Sequence, residues 1–198
     1  MTRRMFPFAL LCLLLISGCI SPSPEVVFHT LSPMSQEATR LASVGKPMAL
    51  EIMPVQLPEL LQRSQLVVLD GTDTYRLSAT HRWGNTLEQD MQRVLTENLA
   101  ALLGSDSVVP YPLGDRVQAA YRISLEVQQC EGAPGGTLTF RATWMVTQPS
   151  DGRLVLRHRW RLQEPVQGGN IEDLVSAHSR VMSALSQEMG KALQALAH

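Results

Sequence analysis

Four arginines in one short stretch, Arg153, Arg157, Arg159 and Arg161, alternate with Leu154, Leu156, Trp160 and Leu162. Repetition at period two puts the guanidinium heads on one face of a strand and the apolar residues on the other. A planar guanidinium fork matches phosphate and carboxylate oxygens, so the chemistry on offer is recognition of a phosphate head group or of an acidic partner. Arg141 lies on the wet face of the preceding alternating stretch and extends the stripe. Charged residues on exposed strands also discourage edge pairing, and the sequence leaves that plainer role open beside the first.

Catalytic chemistry leaves no comparable footprint. There is no Gly-x-Ser-x-Gly elbow, no phosphate-cradling glycine loop, no His-Glu-x-x-His pair and no Cys-x-x-Cys spacing. The histidines His29, His81, His158, His178 and His198 are scattered, and His158 and His178 fall on apolar faces where a hydrogen-bonded core imidazole is the ordinary case. The expectation is therefore no enzyme, no cofactor and no metal ion. A lipid-anchored hydrolase stays as an alternative, because carboxylates can converge without a linear motif.

A second chemically informative position is Cys19. Arg3 and Arg4 precede an apolar run from Met5 to Ile16, too short to span a bilayer, and Ser17 and Gly18 are small enough for a peptidase to reach the backbone. Ile16-Ser17-Gly18-Cys19 resembles the bacterial lipobox, in which the thiol takes a diacylglyceryl group and becomes the first residue after cleavage. Two or three acyl chains, palmitate among them, give lasting anchorage where one gives only marginal binding. Ile20 stands where inner-membrane retention commonly uses Asp, which favours the outer membrane. Cys12 leaves with the leader, so Cys130 is the one thiol left and no internal disulfide forms.

The 198 residues, 44% hydrophobic and 18% charged, suffice for one domain. Seventeen basic against 18 acidic side chains give a net charge of -1, which excludes a general nucleic-acid binder. Loss of residues 1–18 removes Arg3 and Arg4 and leaves a net charge of -3. The organisation read from this is a leader over 1–18, a lipidated Cys and Ser/Pro spacer over 19–25, and one domain over 26–198.

The elements that must carry the arginine stripe are legible from periodicity. Tyr121 to Val127, Leu138 to Val146 and Leu154 to Leu162 each alternate, which predicts a three-stranded antiparallel meander. Leu87 to Leu103 carries the rhythm of one helix face, with a Thr86/Gln89 capping box and Gly104 as its stop. Asn170 with Asp173 caps a second helix that begins at Ile171 and runs to Leu196. Val26–Leu31, Met48–Val55, Ser64–Leu69 and Thr74–Leu77 are further strand candidates, the last two joined by an Asp70-Gly71 turn. Ser35 to Lys46 reads as a loop, and Leu57–Arg63 as one helical turn led by Pro58. The fold class is α+β: an antiparallel sheet with two main amphipathic helices on one face. Trp83, just before the first helix, is either a staple for the helix start or a contact residue. The Val181, Met182, Leu185 and Met189 stripe suits core packing, or an oligomer or cargo groove.

Several landmarks, in order, resemble the PqiC-type auxiliary lipoproteins of ABC-type transport, long known as a domain of unknown function. They are the lipobox ending at Cys19, Phe28-His29-Thr30-Leu31-Ser32-Pro33, the Pro54 to Arg63 segment, His81-Arg82-Trp83 leading into Leu87–Leu103, the strand around Tyr121–Val127, and the terminal helix. The family form has Tyr after the Leu-Pro pair and often Asp before the Arg, where this chain has Glu59 and Gln62. The resemblance implies a non-catalytic lipoprotein of the outer membrane, facing the periplasm. It implies an MCE-domain periplasm-spanning protein and its inner-membrane transporter as partners, self-association into rings, and a role in lipid transport and membrane integrity. Pro58 and Arg63 join Arg141, Arg157, Arg159, Arg161 and Trp83 as candidates for partner or head-group binding. A regulatory lipoprotein that activates a cell-wall synthase is the rival class, and the short Ser21-Pro22-Ser23-Pro24 spacer argues against the reach it needs.

Overall fold

The structure, a computed structural model, describes residues 24–35, 49–112 and 118–196. The leader, Cys19, most of the expected 35–46 loop and His198 lie outside the described residues. The three alternating stretches form β6 (Tyr121–Glu131), β7 (Thr137–Thr147) and β8 (Leu154–Pro165), paired antiparallel as a meander. One face of this meander is the core: Ile123, Leu125, Val127, Leu138, Phe140, Ala142, Trp144 and Val146 are all buried. Two helices cover it, α1 (Leu87–Leu103) and α2 (Ile171–Leu196), which also pack on each other.

Both helices begin with reciprocal caps. The Thr86 hydroxyl accepts the Gln89 N–H at 3.3 Å while the Gln89 side chain accepts that of Thr86. The Asn170 side chain likewise accepts the Asp173 N–H at 2.8 Å, and Asp173 answers at 3.1 Å. Each pair satisfies donors that the first turn would otherwise leave without partners. Gly104 ends α1 at φ +59°, the left-handed conformation that only glycine adopts freely.

The α+β class stands, but the single antiparallel sheet of the sequence expectation does not. β2 (Leu50–Ile52) inserts parallel between β6 and β5 (Val108–Pro110), giving a five-stranded order β5-β2-β6-β7-β8. A second sheet has the order β1-β4-β3, with β1 (Val27–His29) parallel to β4 (Thr74–Trp83) and β3 (Gln65–Asp70) antiparallel to it. Parallel pairs join residues far apart in the chain, and three-residue strands carry too few positions for periodicity to show them. β4 runs six residues past the expected Leu77 because β1 pairs with its far end and satisfies the backbone there.

Past β1 the chain is held by side chains instead of a sheet. Asp90 of α1 is 0% exposed and accepts from the Leu31 N–H at 3.0 Å and the Thr30 hydroxyl at 2.9 Å. Arg93, one turn on, donates to the Leu31 carbonyl at 2.6 Å and to Asp90 at 3.1 Å. The Met34 N–H reaches Asn98 on α1, and the Ser32 N–H reaches Ser179 on α2. The segment just after β1 is thus fastened to both helices.

Candidate functional site

With the helices on one face of the meander, its other face is open, and there the arginines meet. The β7–β8 register sets Arg141 directly opposite Arg161, Thr143 opposite Arg159 and Met145 opposite Arg157. All four arginines are exposed, and no guanidinium among them has a hydrogen-bond or ion-pair partner among the described residues. Together with Thr143 and, on β6, Glu126 and Gln128, they line a groove of about 610 Å³. A neighbouring hollow of about 480 Å³ along the same strands shares Arg141 and Arg161.

A bulge in β6 between Val127 and Gln129 shapes the groove's floor. Bulges re-aim side chains, and here Gln128 turns to donate to the Thr143 hydroxyl at 3.1 Å. Like charges directly opposite on a sheet destabilise it by about 0.2–1 kcal/mol. Arg141 and Arg161 form such a pair, with Glu126 as the one carboxylate lining the groove. An anion bridging the two forks would relieve that repulsion and accept several charge-assisted hydrogen bonds. The arrangement can bind and orient phosphate or carboxylate groups.

Not every expected site residue comes here. Arg153 lies in the turn before β8, where it donates to Gln148 at 2.6 Å and sits 3.9 Å from Asp151, so it does not continue the stripe. Trp83 is 5% exposed and meets the buried His178 ring edge-on, so it belongs to the core between β4 and α2 and not to a surface. The Pro58 carbonyl accepts the Leu61 N–H in the one-turn helix Glu59–Leu61, and Arg63 folds back on the Leu60 carbonyl. That segment runs beside the groove's edge, since Gln56 bridges to Glu126 on β6, but Pro58 and Arg63 do not line it. The Val181, Met182, Leu185 and Met189 stripe is core.

Sequence reasoning missed one cluster altogether. His29 at the end of β1 and His81 on β4 face each other with ring nitrogens 2.8 Å apart, and Glu172 in the first turn of α2 lies 3.9 Å from His81 Nδ1. They are 52 and 91 residues apart in sequence; the parallel β1–β4 pairing brings the two histidines together, and the start of α2 supplies Glu172. Burial and the nearby His81 lower the pKa of His29, against a smaller opposing pull from Glu172.

The family model of the ABC-type transport auxiliary lipoprotein component matches residues 29–190. No curated protein matches the chain. Among solved structures, an uncharacterized protein superposes with a TM-score of 0.68 at 19% identity, covering 86% of this chain and 99% of that one. A Xanthomonas campestris protein of family DUF330 superposes with a TM-score of 0.63 at 10% identity, covering 84% of this chain and 90% of that one. At such identities the fold is what is shared. No helix among the described residues is long and apolar enough to cross a membrane.

Proposed function

The chain belongs to the family of ABC-type transport auxiliary lipoprotein components, and we propose that it is a non-catalytic, outer-membrane subunit of an intermembrane lipid transport system that docks an MCE-domain conduit. In this reading acylated Cys19 fixes the protein at the periplasmic leaflet. The Ser/Pro stretch up to Glu25 then sets a stand-off of at most roughly 20 Å, at about 3.3–3.6 Å per extended residue. Energy from ATP is spent by another chain, and this one supplies position and a docking face.

The observation that carries the reading is the open arginine groove on the sheet face opposite the helices, in a chain that is acidic overall. A concentrated positive groove steers and orients an anionic surface at little cost to fold. The test is affinity capture of the tagged full-length chain from crosslinked envelopes, beside a Cys19→Ala form and an Arg157→Ser/Arg159→Ser form. Recovery of an MCE-domain protein by the parent, weakened in both variants, supports the reading. Recovery of a cell-wall synthase instead, or capture indifferent to both changes, overturns it.

A further inference from the structure

We propose that His29, His81 and Glu172 form a binding site for a borderline divalent transition metal, Zn²⁺ in the first instance. The three side chains come from β1, β4 and α2, so three separate elements converge on one point. Their ligand atoms all lie within 4.8 Å of one another. His29 Nε2 and His81 Nδ1 are 2.8 Å apart, and the Glu172 carboxylate is 3.9 Å from His81 Nδ1. Zinc bonds of about 2.0–2.2 Å in tetrahedral geometry need donors roughly 3.3 Å apart. The observed spacings straddle that value, so side-chain rotation alone can close the site.

Two imidazoles and one carboxylate select zinc and its borderline neighbours over calcium or magnesium, which take oxygen cages. At 2.8 Å the two ring nitrogens can share an N–H···N hydrogen bond, one ring donating and the other accepting, and a metal would replace that proton by taking a lone pair from each. Both rings are half-buried and Glu172 is exposed, so the fourth position opens to solvent. A bound ion would staple β1 to the start of α2, adding to the Asp90, Asn98 and Ser179 contacts that hold the N-terminal segment to the body.

The test is titration of the full-length chain in detergent with Zn²⁺ alone, against a chromophoric chelator. One equivalent is expected, with a rise in melting temperature as metal is added. His29→Ala and His81→Ala should each weaken binding about 100-fold or more, in line with the 10–100-fold that even outer-shell changes cost. Glu172→Gln should also weaken it, and His158→Ala should not. In the parent chain, zinc-dependent shifts should fall on the ring resonances of His29 and His81, a readout that survives any variant's failure to fold. Absence of saturable binding by the parent, shifts confined to other histidines, or equal affinity in the folded variants would overturn the site.

Discussion

The Asp90 carboxylate, wholly buried on α1, holds the backbone N–H of Leu31 at 3.0 Å, a contact between residues 59 apart in sequence. It is one arm of a clamp whose other arm is Arg93 on the Leu31 carbonyl. A charge buried at this depth persists because every partner is present: a backbone donor, the Thr30 hydroxyl and the guanidinium.

Asp90→Ala is accordingly expected to cost about 1–3 kcal/mol, since it leaves the buried Leu31 N–H without its acceptor while Arg93 keeps its pair with Glu97 at 3.2 Å. Denaturant unfolding reads the loss. A change below about 1 kcal/mol would show that the clamp is ornamental.

The groove makes an opposite forecast. Arg161→Gln removes one member of the Arg141–Arg161 cross-strand pair and should raise stability by about 0.2–1 kcal/mol at low ionic strength. The gain should shrink as salt screens the repulsion. Melting temperatures across a salt series check it, and a destabilisation at low salt would mean that the two guanidiniums hold each other in place through stacking.

Acid should weaken the protein before its carboxylates titrate. Burial lowers the pKa of His178 below its ordinary 6.5, against a smaller raising pull from the Leu174 carbonyl. The unfolded chain therefore takes up a proton more readily than the folded one. The associated stability is complete above about pH 6.5 and drains away as pH falls towards the folded value. Unfolding free energies at about pH 7.5 and about pH 5.5 should differ in that sense, and His178→Gln should flatten the slope. A flat profile in the parent chain would refute the assignment.

Cys130 should be inert in the native protein. It is fully buried, and burial first, then the neighbouring Glu131 charge, push its thiol up to about 12. Alkylation at mildly basic pH, followed by peptide mass, should label Cys130 only after unfolding. Labelling at native pH within minutes would reveal an opening of β6.

The sequence was most informative where local rules act alone. Both helices with their caps, the meander, and the wet-face position of Arg141, Arg157, Arg159 and Arg161 follow from period and from residues a few positions apart. What escaped is long-range. Nothing near Leu50–Ile52 announces two parallel neighbours, and nothing near His29 announces His81 or Glu172. Trp83 could not be sorted between core and surface because the ring that covers it, His178, sits 95 residues further on. The family resemblance read from ordered short motifs agrees with the family match over residues 29–190.

The clasp of Ser32 by Ser179, 147 residues later, sets a timetable for assembly. The segment made first can be held by α1 through Asp90 and Asn98, but its Ser32–Ser179 clasp cannot close until the last helix exists. A chain threaded outward from its N-terminus would thus gain its first hold on that segment when α1 forms and complete it only at the final step, when the last helix adds the second.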